Sequence, residues 1–166
     1  MKKNQKGFSL IELLIVVAII LIIAAIAIPN LLRARIAANE ASAVGSLRTI
    51  TTAEVTFSNE YGLGFGPLAN LGGATPCTAS SATACLIDNV LATGTKSGYT
   101  MATPVPAALG TIAAPNVTFL ATAIPVSLGQ SGQRSFCSDQ SGVVRADPAG
   151  GAIASANACL ALNPLQ

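Results

Sequence analysis

The hydrophobic pattern divides the chain into three parts, and the first is almost wholly apolar. Residues 13–28 are sixteen consecutive apolar residues, and the run from Phe8 to Ile28 is interrupted only by Ser9 and Glu12. Twenty-one helical residues reach about 31 Å, which is close to the thickness of the hydrocarbon core of a bilayer. This first part is therefore predicted to be a helix that can span a membrane.

The second part, from Asn30 to Glu60, has apolar residues at helical spacing. It contains no proline and a single glycine, and it is rich in good helix formers. The apolar residues recur at steps of 3, 3, 7 and 4, as expected for one face of a helix: Val44, Leu47, Ile50, Phe57 and Tyr61. We expect this stripe to pack on the protein's own domain, with Glu40, Arg48 and Glu60 largely off it.

Pro29 separates these two helical parts. A proline removes a backbone donor and clashes with the preceding turn, so a kink or local melting is predicted at this position. The helix is expected to extend over residues 8–60, with 8–28 as its apolar half.

The third part, residues 61–166, is predicted to be a small globular head. Glycine and proline are frequent to residue 76, and small polar residues dominate to residue 85, which indicates a connecting loop. A short helical turn is predicted over 87–92. Strand-like runs, bounded by turn residues, follow at 98–102, 117–124, 134–137 and 143–146. The expected fold class is α+β, with an antiparallel sheet of three or four strands laid on the long helix and an irregular tail from Pro148.

Charge is sparse, and its distribution excludes several kinds of function. The chain has 9 Lys+Arg, 7 Asp+Glu and no His, so only 10% of its residues are charged, and its mean hydropathy is +0.60. Six cations after Gly7 cannot build a large phosphate-binding surface, so nucleic-acid binding is not expected. Without histidine, imidazole-based metal sites and catalytic triads are excluded. We expect no catalytic residue, no metal site and no cofactor.

Three lysines, Lys2, Lys3 and Lys6, precede the apolar run. By the positive-inside rule they keep the N-terminus in the cytoplasm and send the rest of the chain across the membrane. An alternative is a secretory signal peptide that is removed after the apolar run. That alternative needs a small-residue cleavage site, and residues 26–29 offer only a poor one.

Glu12 is the charged residue inside the apolar run. A carboxylate in a membrane helix costs about 2.5–3.5 kcal/mol, so it calls for a partner. If the chain were cut between Gly7 and Phe8, the new α-amino group of Phe8 would be a cation at the same depth. It could pair with Glu12 of its own chain or of a neighbour. The alternative is a protonated carboxyl that the membrane tolerates.

The residues from Lys6 to Leu13, KGFSLIEL, together with the apolar run and Ala27 to Asn30, closely resemble the N-terminal signature of type IV prepilins. The resemblance is specific over residues 1 to about 60. It implies that a membrane prepilin peptidase removes a leader of residues 1–7 by cutting after Gly7, and that the new N-terminal residue, Phe8, is methylated. It also implies that Glu12 aligns incoming subunits, and that Pro29 matches the family's proline near the end of the apolar stretch.

The four cysteines, Cys77, Cys85, Cys137 and Cys159, are expected to form disulfides. An even count in an exported segment favours this state, and four cysteines permit three pairings. We favour Cys77–Cys85, which closes the loop, and Cys137–Cys159, which ties the tail to a strand. Gaps of 7, 51 and 21 residues do not suit a metal site, while buried reduced thiols are the remaining alternative.

The resemblance implies a structural subunit of a type IV pilus that polymerises with copies of itself into a cell-surface filament for adhesion, motility or DNA uptake. Its implied partners are the prepilin peptidase and the pilus assembly machinery. The precursor would cross the inner membrane once, before assembly into the extracellular pilus. The alternatives are a pseudopilin of a type II secretion system and a membrane-anchored periplasmic binding domain.

Overall fold

The computed structural model describes residues 8–165 and begins with one long helix. Helix α1 spans Leu10–Tyr61, a length of 52 residues, and therefore agrees with the helix predicted from the sequence. The helix continues through Pro29 without interruption, so the prediction that it melts locally at that residue is wrong. A single proline removes only one backbone donor, and the turns on both sides keep their own hydrogen bonds.

The chain divides into two units, one that ends at Arg35 and one that begins at Ile36. In the first unit, the large apolar side chains of α1 from Leu10 to Leu32 are all exposed in the single chain.

The second unit contains the remainder of α1 and an antiparallel sheet of six strands. The strands follow one another across the sheet in chain order: β1 Thr95–Lys96, β2 Tyr99–Val105, β3 Leu120–Pro125, β4 Ser135–Asp139, β5 Arg145–Asp147 and β6 Asn163–Pro164. The α+β class is confirmed, but the predicted count of three or four strands is too low. Strands β1 and β6 have only two residues each, which is too short to show the alternation that identifies a strand from sequence.

The main core lies where the apolar stripe of α1 packs on the sheet and the connecting segments. Leu47, Ile50 and Phe57 are completely buried, and Val44 and Tyr61 pack against the edge of the same cluster. The aromatic rings of Tyr99, Phe119 and Phe136 complete this core. The predicted stripe therefore packs on the protein's own domain.

In the described part of the chain, three short helices follow α1, and one of them lies where the sequence predicted a helical turn. Helix α2, Leu68–Leu71, lies in the connecting segment after α1, and α3, Asn89–Ala92, lies within the helical turn predicted over 87–92. The tail was predicted to be irregular, but it contains α4, Ala156–Leu160, and then β6. Cys159 in α4 and Cys137 in β4 belong to a second small core that includes Leu120 and Ile153.

Candidate assembly site in the N-terminal helix

The beginning of α1 gives Glu12 a partner within its own helix. Ser9 is the residue before the first helical residue, Leu10, and Glu12 is the third residue of the helix. The backbone N–H of Ser9 donates to Oε2 of Glu12 at 3.0 Å. This is one half of a capping box, in which an acid in the first turn satisfies a free N–H at the helix terminus. The S-x-x-E pattern was readable in the sequence, but the sequence reasoning missed it.

The hydrogen bond from Ser9 leaves part of the Glu12 carboxylate available. Within residues 8–165, no lysine or arginine lies within ion-pair distance of Glu12, and Oε1 accepts no hydrogen bond. Glu12 is exposed, as are its neighbours in the apolar run. The site can therefore accept a further donor or a cation without first losing its helix cap.

Phe8 is the first residue that the structure describes, and it is 77% exposed. Gly7 and the rest of the predicted leader, residues 1–7, lie outside the described residues. Cleavage between Gly7 and Phe8, methylation of Phe8 and pairing of its amine with Glu12 therefore stay predictions.

The apolar half of α1 offers a long surface that this single chain does not cover. It is long enough and apolar enough to cross a membrane by length and composition, and its most apolar stretch has no buried residues. An exposed apolar surface of this extent calls for lipid or protein around it. Pro29 directly follows this surface, and the exposed cations Arg33 and Arg35 come one turn later, where the helix becomes polar.

Glu40, which the sequence placed off the apolar stripe, is buried, and both of its carboxylate oxygens accept hydrogen bonds. Its Oε2 accepts from Nε and Nη2 of Arg134 at 3.0 and 2.7 Å, and its Oε1 accepts from the backbone N–H groups of Gln133 and Arg134 at 3.0 and 3.2 Å. Burial acts to raise the pKa of Glu40, but these hydrogen bonds and the Arg134 charge outweigh it and hold the pKa below its usual value. The pair joins α1 to the segment that leads into β4.

Both disulfides favoured from the sequence are present in the structure. Cys77 bonds to Cys85 and Cys137 bonds to Cys159, with Cα–Cα distances of 6.1 and 6.0 Å. The second pair is completely buried, whereas Cys77 is exposed. The first disulfide closes the loop after α2, and the second fastens the C-terminal tail to the centre of the sheet.

Two acidic side chains of the head, Asp88 and Asp139, have structural partners. Asp88 caps α3 through the N–H of Leu91 and pairs with Lys96 at 2.9 Å, while Asp139 accepts from the N–H of Ser141 in the turn between β4 and β5. No group of three or more His, Cys, Asp or Glu side chains that could hold a metal ion occurs in the part of the chain that the structure describes.

The chain is similar to a known family model and, over part of its length, to known proteins. Residues 2–28 match the family model described as the prokaryotic N-terminal methylation motif. The chain is 68% identical over 38 residues to the type IV wide pilus major component PilA4 of Thermus thermophilus, which is 23% of this chain and 29% of that protein. It is 46% identical over 57 residues to the type IV major pilin protein PilA of Myxococcus xanthus, or 34% of this chain and 26% of that protein.

These matches span less than a third of the length of either relative. No solved structure matches the chain significantly. The chain therefore combines an N-terminal methylation motif with a long apolar helix and an α+β head. Over the matched parts, the chain is similar to proteins described as type IV pilins.

Proposed function

We propose that the chain is a structural subunit that assembles through α1 into a type IV pilus. The observation that carries this proposal is the apolar half of α1, whose large side chains from Leu10 to Leu32 are all exposed in the single chain. Lipid covers them while the precursor is in the inner membrane with its N-terminus in the cytoplasm, and neighbouring copies of α1 cover them in the filament. Both named relatives are pilus components, which favours a pilus over a type II secretion pseudopilus.

Assembly in this proposal requires two partners besides the chain itself. Prepilin peptidase removes residues 1–7 by cutting after Gly7 and methylates the amine of Phe8, and the pilus assembly machinery then extracts the helix from the membrane. Pairing of that amine with Glu12 of a neighbouring copy sets the axial position of the incoming helix, and the finished filament serves adhesion, motility or DNA uptake. Support comes from the motif match over residues 2–28 and from the free oxygen of the Glu12 carboxylate.

The test is to shear filaments from the cell surface, image them and sequence their N-termini by mass spectrometry. We expect this chain to be their main component and to start at N-methylated Phe8. A Gly7→Leu variant, which places a bulky side chain at the cleavage site, should stay in the membrane with an intact leader and make no filaments. Filaments that retain Met1, or filaments that persist when the chain is deleted, would contradict the proposal.

A further inference from the structure

Glu54 is an acid inside the main core, and the proposed assembly does not use it. It lies on α1 next to Ala53 and one turn before Phe57, and none of its surface is exposed. Its Oε2 accepts one hydrogen bond, from the backbone N–H of Gly66 at 2.9 Å. Its Oε1 is buried and has no hydrogen-bond partner within residues 8–165. A fully buried carboxyl with a free oxygen is much more stable when it carries a proton.

The hydrogen bond from Gly66 fixes the loop of residues 62–67 to α1. This loop is hydrogen-bonded in turn to a second loop, residues 105–118. Gly66 packs closely over the core, since a methyl group in its place would lie 3.1 Å from the ring of Phe57 and 3.4 Å from Leu109. Just before it, the N–H of Phe65 donates to the carbonyl of Asn116 at 3.0 Å, and the N–H of Asn116 donates to the carbonyl of Leu63 at 3.0 Å. The side-chain amide of Asn116 also donates to the carbonyl of Phe65 at 2.9 Å.

The surroundings of Glu54 contain no compensating charge. Residues 62–67, which hold Gly66, and residues 105–118, which hold Asn116, contain no titratable side chain. The nearest charged residues along α1 are Arg48 and Glu60, six positions away on either side, and both are exposed. Burial raises the pKa of Glu54 to about 7, against the opposing effect of the Gly66 hydrogen bond. A carboxyl with this pKa changes its protonation state near neutral pH.

We propose that Glu54 acts as a proton-dependent latch for the two loops at residues 62–67 and 105–118. While Glu54 is protonated, it stays in the core and its hydrogen bond to Gly66 keeps both loops closed. When it loses the proton, the carboxylate needs water, and the nearest route for water is the separation of Gly66 from α1. Because Asn116 is hydrogen-bonded to Leu63 and Phe65, the loop of residues 105–118 loosens together with the loop of residues 62–67.

The test is hydrogen–deuterium exchange on the processed full chain in detergent at pH 5.5 and pH 8.5, corrected for the intrinsic exchange rate at each pH. The opening equilibrium for peptides that cover the two loops should rise about 30-fold over this range, as expected when a pKa differs between about 7 closed and its usual value open. Glu54→Gln, which cannot ionise, should remove this pH dependence, and Glu60→Gln, on the exposed part of the same helix, should keep it.

Two results would overturn the proposal. One is loop protection that changes equally with pH in the wild type and in Glu54→Gln, and the other is loop protection that does not change with pH at all. If Glu54→Gln does not fold, the titration of the Glu54 side-chain carbonyl carbon by NMR in the wild type decides the matter. A midpoint near 7 that coincides with the change in loop amide signals supports the latch, whereas a midpoint near 4.5 refutes it.

Discussion

The Glu12 carboxylate accepts a hydrogen bond from the backbone of Ser9 through Oε2 and leaves Oε1 without one within the described chain. The reasoning from sequence treated Glu12 as a buried charge in need of a cation, and it left out the helix terminus three residues earlier. With the cap in place, one carboxylate can stabilise its own helix and still receive a cation from another subunit. These two roles can be separated by substitution.

Glu12→Gln and Glu12→Val distinguish capping from charge pairing. The glutamine side chain can still accept from the N–H of Ser9, but it carries no charge, whereas valine loses both properties. If pairing with a neighbour's amine drives assembly, both variants should insert into the membrane and both should form filaments slowly or not at all. Quantification of sheared filaments against the membrane pool measures this effect. Normal filament amounts in Glu12→Val would disprove the pairing, and normal amounts in Glu12→Gln alone would assign Glu12 to capping.

The Glu40–Arg134 pair predicts a measurable loss of stability when the arginine is removed. Arg134→Ala would leave the buried Glu40 carboxylate with backbone donors only, at a cost of about 1–3 kcal/mol. Arg134→Lys keeps the charge but cannot reproduce the two guanidinium hydrogen bonds, so it should fall between the wild type and alanine. Thermal unfolding followed by circular dichroism gives the melting temperatures of the wild type, Arg134→Lys and Arg134→Ala, which should fall in that order. An Arg134→Ala melting temperature equal to that of the wild type would contradict this role.

For helices and strands, the sequence predicted segments with a regular hydrophobic period. It did not predict which distant residues contact one another. The apolar stripe of Leu47, Ile50 and Phe57 follows from local spacing, and the structure buries all three side chains. The burial of Glu40 depends on Arg134, which lies 94 residues further along the chain, so nothing near Glu40 in the sequence indicates it.

The short elements were missed for a related reason. Strands β1 and β6 are defined by the neighbours to which they hydrogen-bond rather than by any pattern of their own. At the candidate assembly site, the positions of Glu12 and Pro29 on the helix followed from the sequence. The hydrogen bond from Ser9 needed only the capping pattern, and it was therefore predictable in principle.

The two disulfides are expected to open at different rates because their accessibility differs. Reduction requires a thiolate to reach a sulfur atom, so the exposed Cys77–Cys85 bond should open before the buried Cys137–Cys159 bond. Stepwise addition of reductant, followed by alkylation and peptide mapping, measures the order. Cys137 and Cys159 labelled first, or all four cysteines labelled together, would contradict it.

Replacement of the cysteines by serine tests what each disulfide contributes to stability. Loss of the Cys137–Cys159 bond should lower the free energy of unfolding by about 3 kcal/mol, and loss of Cys77–Cys85 should lower it by less, because a longer closed loop restricts the unfolded chain more. Urea unfolding of the two double-serine variants compares them directly. An equal loss in both variants would show that loop length does not set the difference.

For the molecule as a whole, two buried acids with opposite pKa shifts determine how stability depends on pH. The pKa of Glu40 is lowered, so its contribution is present above pH 4.5 and is lost as the pH falls further. The pKa of Glu54 is raised to about 7, so the folded state holds a proton that the unfolded state releases, and its contribution is lost as the pH rises from 4.5 to 7. Stability should therefore be greatest in mildly acidic solution.

This balance predicts that the wild type has a larger free energy of unfolding at pH 5 than at pH 8. The difference due to Glu54 is about 2–3 kcal/mol, from a pKa that moves between 4.5 and about 7. In Glu54→Gln the difference should nearly disappear, while Glu60→Gln, an exposed acid on the same helix, should retain it. Urea unfolding at the two pH values measures this, and a wild type that is more stable at pH 8 would refute the assignment.

The order of the sheet has a consequence for the way in which the head folds. Each strand from β2 to β6 pairs with the strand that precedes it in the chain, so after β1 every new strand finds a partner that has already been made. A head that emerges in chain order can therefore add one strand at a time to an existing edge, with low loop-closure cost at every step. The tail arrives last, and formation of the Cys137–Cys159 bond then locks a sheet that has already been built.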